Sequence, residues 1–192
     1  MIEQFKLAKQ NKDILFFENF QTPEISWENV LNFLFEESAK ETNFLPESEE
    51  WEKWEKWGNI QVQDHLWLAP QTNYLFTKFK GVEDLLKKVN GGAVNKCCTY
   101  YAEERKCNCK NVWHSQGMRI SLGRRIVSSH QDPHDILYWQ ILGSSYWKIN
   151  NDKVYKLRPG DLFYFSKEDY HMVWCDEPRA GLIIDGIDLL SK

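Results

Sequence analysis

The spacing of apolar residues changes partway along the chain. In the first part they recur at helical intervals. Trp27, Val30, Leu31 and Leu34 follow Pro23 and Ser26, a helix start with an apolar stripe behind it. Val82, Leu85, Leu86 and Val89 form another stripe, ended by Asn90-Gly91-Gly92. Trp51, Trp54 and Trp57 recur every third residue among Glu and Lys, so one face of a short helix would carry all three rings. That face either packs on the rest of the protein or is offered to a partner, a second copy included. From about residue 112 the period falls to two. Met118, Ile120 and Leu122 alternate with polar residues, and Ile126 and Val127 lead toward His130. Residues 136–142 are nearly all apolar or aromatic, broken by Gln140. Tyr146-Trp147 with Ile149, Val154-Tyr155 with Leu157, 162–165, 172–174 and 182–184 follow, separated by Gly143, Asn150-Asn151-Asp152 and Pro159-Gly160. Short strands rich in β-branched and aromatic residues, at regular spacing, predict a sandwich or barrel.

Composition narrows the class. The chain has 192 residues, 42% of them hydrophobic and 15% aromatic, a globular composition with a sizeable core. The pattern predicts one domain over 1–192, with a helical and loop elaboration over 1–111 and a core of strands over 112–186. A net charge of -4, without a long run of one sign, gives no reason to expect nucleic acid. No stretch approaches the roughly 20 apolar residues of a membrane helix. The first residues lack the pattern of a signal peptide, so the cytoplasm is the expected compartment. Five cysteines, at 97, 98, 107, 109 and 175, are an odd number and do not suggest a disulfide framework. Cys97-Cys98, Cys107-x-Cys109 and His114 are either a structural zinc set of unusual spacing or reduced thiols. Cys175 shares strand parity with His171 and Val173, which turns it toward the same interior.

The chemistry concentrates in two segments. In an extended backbone, residues two apart face the same way, so His130 and Asp132 can present an imidazole and a carboxylate to one ion. His171 opens a strand beyond Pro159-Gly160-Asp161 and supplies a third donor. Two His and one carboxylate form the facial set that suits non-haem iron(II), leaving positions open for substrate and oxygen, although such donors also accept manganese, nickel or zinc. His134 lies on the same nominal face, as a ligand or beside the ligands, but Pro133 disturbs the strand direction there. His65 and His114 read as structural or surface residues.

These segments resemble the cupin-like, JmjC-type iron(II)/2-oxoglutarate oxygenases. The resemblance rests on His130-x-Asp132, Gln140, Gly143, Trp147, Pro159-Gly160-Asp161 and His171, over roughly 118–186. It implies a double-stranded β-helix (cupin or jelly-roll) barrel, mostly β, with flanking helices and an α-helical N-terminal region. It further implies Fe(II) on His130, Asp132 and His171 as catalytic and metal residues, 2-oxoglutarate as cosubstrate, and hydroxylation of a peptide, a protein side chain or a small metabolite. Tyr138, Trp139, Tyr146 and Trp174 would supply aromatic surface nearby. The family usually places a basic residue two positions before the Trp; here Ser145 stands there. A hydroxyl can hydrogen-bond the distal carboxylate of 2-oxoglutarate but cannot neutralise it. Arg179, at the start of the strand over 180–184, is the substitute that other branches suggest, where it is not simply a residue flanking a turn. Arg119, Arg125 and Lys148 are further candidates. Two other readings remain: a cupin metal enzyme that does not use 2-oxoglutarate (another oxygenase, an isomerase or a lyase), and a cupin that binds a ligand without catalysis.

Overall fold

The computed structural model describes residues 1–38, 65–68, 79–92, 113–121, 124–150 and 153–186. Trp51, Trp54, Trp57 and the cysteines at 97, 98, 107 and 109 fall outside them.

Among the described residues, three helices form where local signals favour them. α1 (Ile2–Asn11) buries Phe5 and Ala8 and ends at Lys12 in the left-handed region. α2 (Trp27–Ser38) is capped by Ser26, whose Oγ accepts from Asn29 N while Asn29 Oδ1 accepts from Ser26 N, a reciprocal closure of the first turn. Val30 is buried as its stripe predicts, but Leu31 is 40% exposed, so the buried face of this helix is narrower than the pattern suggested. α3 (Val82–Val89) buries Val82, Leu85, Leu86 and Val89. It ends in a Schellman turn, with Gly92 N donating to Lys87 O and Gly91 N to Lys88 O. Asn90 then exchanges two 2.9 Å hydrogen bonds with the backbone of Trp113, which joins the end of α3 to the first long strand.

The strands are β1 (Leu15–Phe17), β2 (His65–Leu68), β3 (Trp113–Ser121), β4 (Arg125–His130), β5 (Asp135–Leu142), β6 (Ser145–Ile149), β7 (Lys153–Leu157), β8 (Leu162–Phe165), β9 (His171–Cys175) and β10 (Arg179–Gly186). All pairings are antiparallel, in a six-stranded sheet ordered β1-β8-β5-β10-β3-β2 and a four-stranded sheet ordered β4-β9-β6-β7. The sequence placed only helices and loops in the first part, and β1 and β2 correct that. Each is three or four residues long and sits at an edge of the large sheet, where pairing rather than any periodic pattern makes the strand.

Two apolar clusters result. One lies between the helices and the outer face of the large sheet and includes Phe5, Val82, Leu86, Leu137, Trp139, Leu182 and Ile184. The other lies between the two sheets and includes Ile136, Tyr138, Phe163 and Phe165 from one, and Trp147, Ile149, Leu157 and Val173 from the other. The alternation of β10 feeds both: Leu182 and Ile184 enter the first, Ile183 the second. Among the described residues, no helix is long and apolar enough to cross a membrane.

Candidate metal centre

Strands β4 and β9 pair so that His130 stands opposite His171. The rings lie 4.2 Å apart between centroids. β4 ends at His130, and Asp132 comes from the segment that follows rather than from the strand itself. Strand parity is therefore not what brings it in. Asp132 Oδ1 lies 3.8 Å from His130 Nε2, and Oδ2 lies 3.5 Å from His171 Nε2. One donor atom from each residue falls within 4.8 Å of the other two.

The imidazoles are aimed by their own strands. His130 Nδ1 is 2.8 Å from Ser128 O, and His171 Nδ1 is 3.4 Å from Asp169 O. A carbonyl only accepts, so in each contact Nδ1 is the donor, and Nε2 of each ring faces Asp132. This is the outer hydrogen bond that fixes tautomer and orientation in metal-binding histidines. An ion with bonds of about 2.1 Å suits donors roughly 3 to 4 Å apart. Burial pulls the pKa of His171 below its ordinary value, the Asp132 carboxylate opposes that shift and His130 adds to it. A neutral ring is the form that ligates. The site is lopsided: the His171 side chain is 3% exposed, Asp132 28% and His130 41%. Solvent, substrate and ion would meet His130 and Asp132 first.

Aromatic rings line the inner side. Phe165 lies 4.6 Å from the His171 ring, and Trp147 stacks on it at 5.9 Å. Trp147 in turn meets Tyr138 at 4.6 Å. The Tyr138 hydroxyl accepts a 3.0 Å hydrogen bond from Arg179 Nη1, and burial raises its pKa against the opposing pull of Arg179. Arg179 is 3% exposed, its Nε is buried without a hydrogen-bond partner, and among the described residues its side chain meets no carboxylate. Gly181 makes room for this arrangement, since a Cβ there would lie 2.0 Å from the Tyr138 hydroxyl.

Ser145 is fully buried and faces the same interior. Its hydroxyl donates to Gln140 Oε1 at 2.6 Å and accepts from Trp147 Nε1 at 2.9 Å. Its single proton is therefore directed at Gln140, not at a ligand. Cys175 is buried. Trp139 sits on the opposite, helix-facing side and donates to Gln21 O, so it is not the surface residue expected. Tyr146 and Trp174 stack at 5.4 Å on the outer face of the small sheet. His134 is half-buried, and His65 and His114 lie on β2 and β3. Sequence reasoning missed Tyr138 as the partner of Arg179, and Asp135 and Asp169 as anchors of the ligand segments. The only signal for the last two was an Asp next to His134 and an Asp two residues before His171.

No protein-family model matches the chain, and no curated protein matches it. Among solved structures it is similar to a cupin superfamily protein of Desulfitobacterium hafniense (20% identity, TM-score 0.34), over 38% of this chain and 67% of that one. It is also similar to the DMSP lyase DddQ of Ruegeria pomeroyi (20%, 0.33), over 40% of each chain. A third likeness is to the ribosomal oxygenase YcfD of Escherichia coli (22%, 0.31), over 36% of this chain and 22% of that one. At these scores the likenesses assign neither fold nor activity, and the reading of the site rests on its own geometry.

Proposed function

We propose that the chain is a metal-dependent cupin enzyme, and more closely an Fe(II)- and 2-oxoglutarate-dependent oxygenase that hydroxylates a peptide, a protein side chain or a small metabolite. The strand orders β3-β10-β5-β8 and β4-β9-β6-β7 are those of two interlocked Greek keys, which supports the jelly-roll barrel. The observation that carries the function is the convergence of His130, Asp132 and His171, with both imidazoles pre-aimed through Nδ1. These three residues would hold the iron, which would supply the oxidative chemistry. Arg179 supports the cosubstrate. A buried guanidinium with no carboxylate beside it among the described residues carries a large desolvation cost, and an anionic ligand would offset it. Its Nε, which has no hydrogen-bond partner among the described residues, shares one edge of the guanidinium with Nη2, the paired donors that a carboxylate accepts. Trp147, Phe165 and Phe163 keep water from the inner side of the site.

A second reading, a metal enzyme that does not use a 2-oxo acid, is favoured by one observation. The Tyr138 hydroxyl already occupies Arg179 Nη1, and Ser145 is committed to Gln140. The readings separate on anaerobic titration of the protein with iron(II) and then 2-oxoglutarate. The first expects a weak visible charge-transfer band that is lost in His130→Ala and weakened in Arg179→Ala. Iron binding without a band leaves the metal enzyme and removes 2-oxoglutarate; failure to bind any divalent metal removes both.

A further inference from the structure

Asp135 opens β5, three residues after Asp132, and its side chain is almost wholly buried. Its Oδ2 accepts a 2.7 Å charged hydrogen bond from Lys9 of α1. Its Oδ1 accepts from Lys167 N at 3.0 Å and from Ser166 Oγ at 3.3 Å. Lys167 and Ser166 begin the segment that leads from β8 to His171. That segment is held again at its far end. Asp169 Oδ2 accepts from Ser166 N, and Asn150 Nδ2 donates to Asp169 Oδ1. Asn150 also exchanges hydrogen bonds with the backbone of Tyr170. The carbonyl of Asp169 is the one that faces His171 Nδ1. On the solvent side a second strut, Gln131 Nε2 to Glu168 O at 2.8 Å, joins the same two segments.

The segment carrying Asp132 and the segment carrying His171 are thus tied together, and Asp135 is the buried knot. Nothing in the folding of α1 requires Lys9 to reach a carboxylate on the large sheet. A lysine drawn in against a buried acid loses side-chain entropy and hydration, a cost that a purely cohesive contact could avoid with an apolar pair.

Taking the metal-centre reading above as its basis, we propose that Asp135, held by Lys9, is a positioning residue for that centre. It sets the distance between Asp132 and His171 by clamping the two segments that bear them, so the docking of α1 controls metal affinity.

The test is titration of the full chain with cobalt(II), read as affinity and as the visible d–d spectrum, beside the melting temperature of the apo-protein. Asp135→Ala and Lys9→Met are expected to weaken cobalt(II) binding about tenfold, the low end of what losing a direct outer partner of a metal ligand costs, and to alter the band. Lys9→Arg restores both. Leu85→Ala, a core truncation on α3 that removes no hydrogen bond of the clamp, lowers the melting temperature and leaves affinity and band unchanged. Lys9→Met carries the test if Asp135→Ala does not fold. Variants that melt earlier but bind cobalt(II) as the parent does, with the same band, overturn the proposal while the metal reading stands. A parent chain that binds no cobalt(II) overturns both.

Discussion

On one side of the large sheet, Ala180, Leu182 and Ile184 of β10 meet Trp139, Leu137 and the helices in an apolar layer. On the other side, Arg179, Gly181 and Ile183 face Tyr138 and the second sheet. The two faces come from the same strands, yet one is filled chiefly by apolar side chains, with the Lys9–Asp135 pair at one end. The other holds a guanidinium with no carboxylate among the described residues, a glycine that yields its space to a ring, and a phenol bonded to the guanidinium. Where a buried face departs from simple apolar filling without compensation from the protein itself, the compensation is sought from a ligand.

Three experiments would break or sharpen this contrast. The largest effect falls on the cohesive face. Leu182→Ala is expected to cost about 2–5 kcal/mol in denaturant unfolding, as core leucines do, while iron(II) affinity of the folded fraction is retained; a loss of affinity would blur the two faces into one. Next comes Gly181→Ala, expected to cost about 1–3 kcal/mol through overpacking against Tyr138. In a double-mutant cycle with Tyr138→Ala that cost should largely vanish, and an additive cycle would show that the ring is not what the glycine accommodates. The smallest effect runs the other way. The double variant Arg179→Met with Tyr138→Phe removes a buried charge and its partner together, and is expected to raise stability by about 1 kcal/mol while abolishing any response to 2-oxoglutarate. A destabilised double variant would mean the guanidinium is satisfied within the fold.

Much of the strand-rich half was legible because its turns are marked and its strands alternate. The opposition of His130 and His171 follows from strands whose ends the sequence indicates. α2 and α3 were legible through Ser26 and through the closing glycines. What was not legible depends on distance along the chain. β1 and β2 exist only because the large sheet offers them edges. The Lys9–Asp135 contact spans 126 residues, and Tyr138–Arg179 spans 41. No local pattern encodes such pairs. Asp132 lies near both histidines, but reaches them from beyond the strand end, since β4 stops at His130 before Pro133. The tryptophan face and the cysteine set, readable as patterns, lie outside the described residues.

The hydrogen bonds from His130 and His171 to carbonyls two residues behind them have a thermodynamic consequence. Each ring is oriented by its own backbone before any cation arrives. Capture then orders little of the chain, and most of the coordination energy goes into holding the ion rather than into freezing rotamers. Such a host would differ from a small zinc domain, whose folding and loading are one event: an ion held here would be a guest in a protein already folded, exchangeable without the protein being rebuilt.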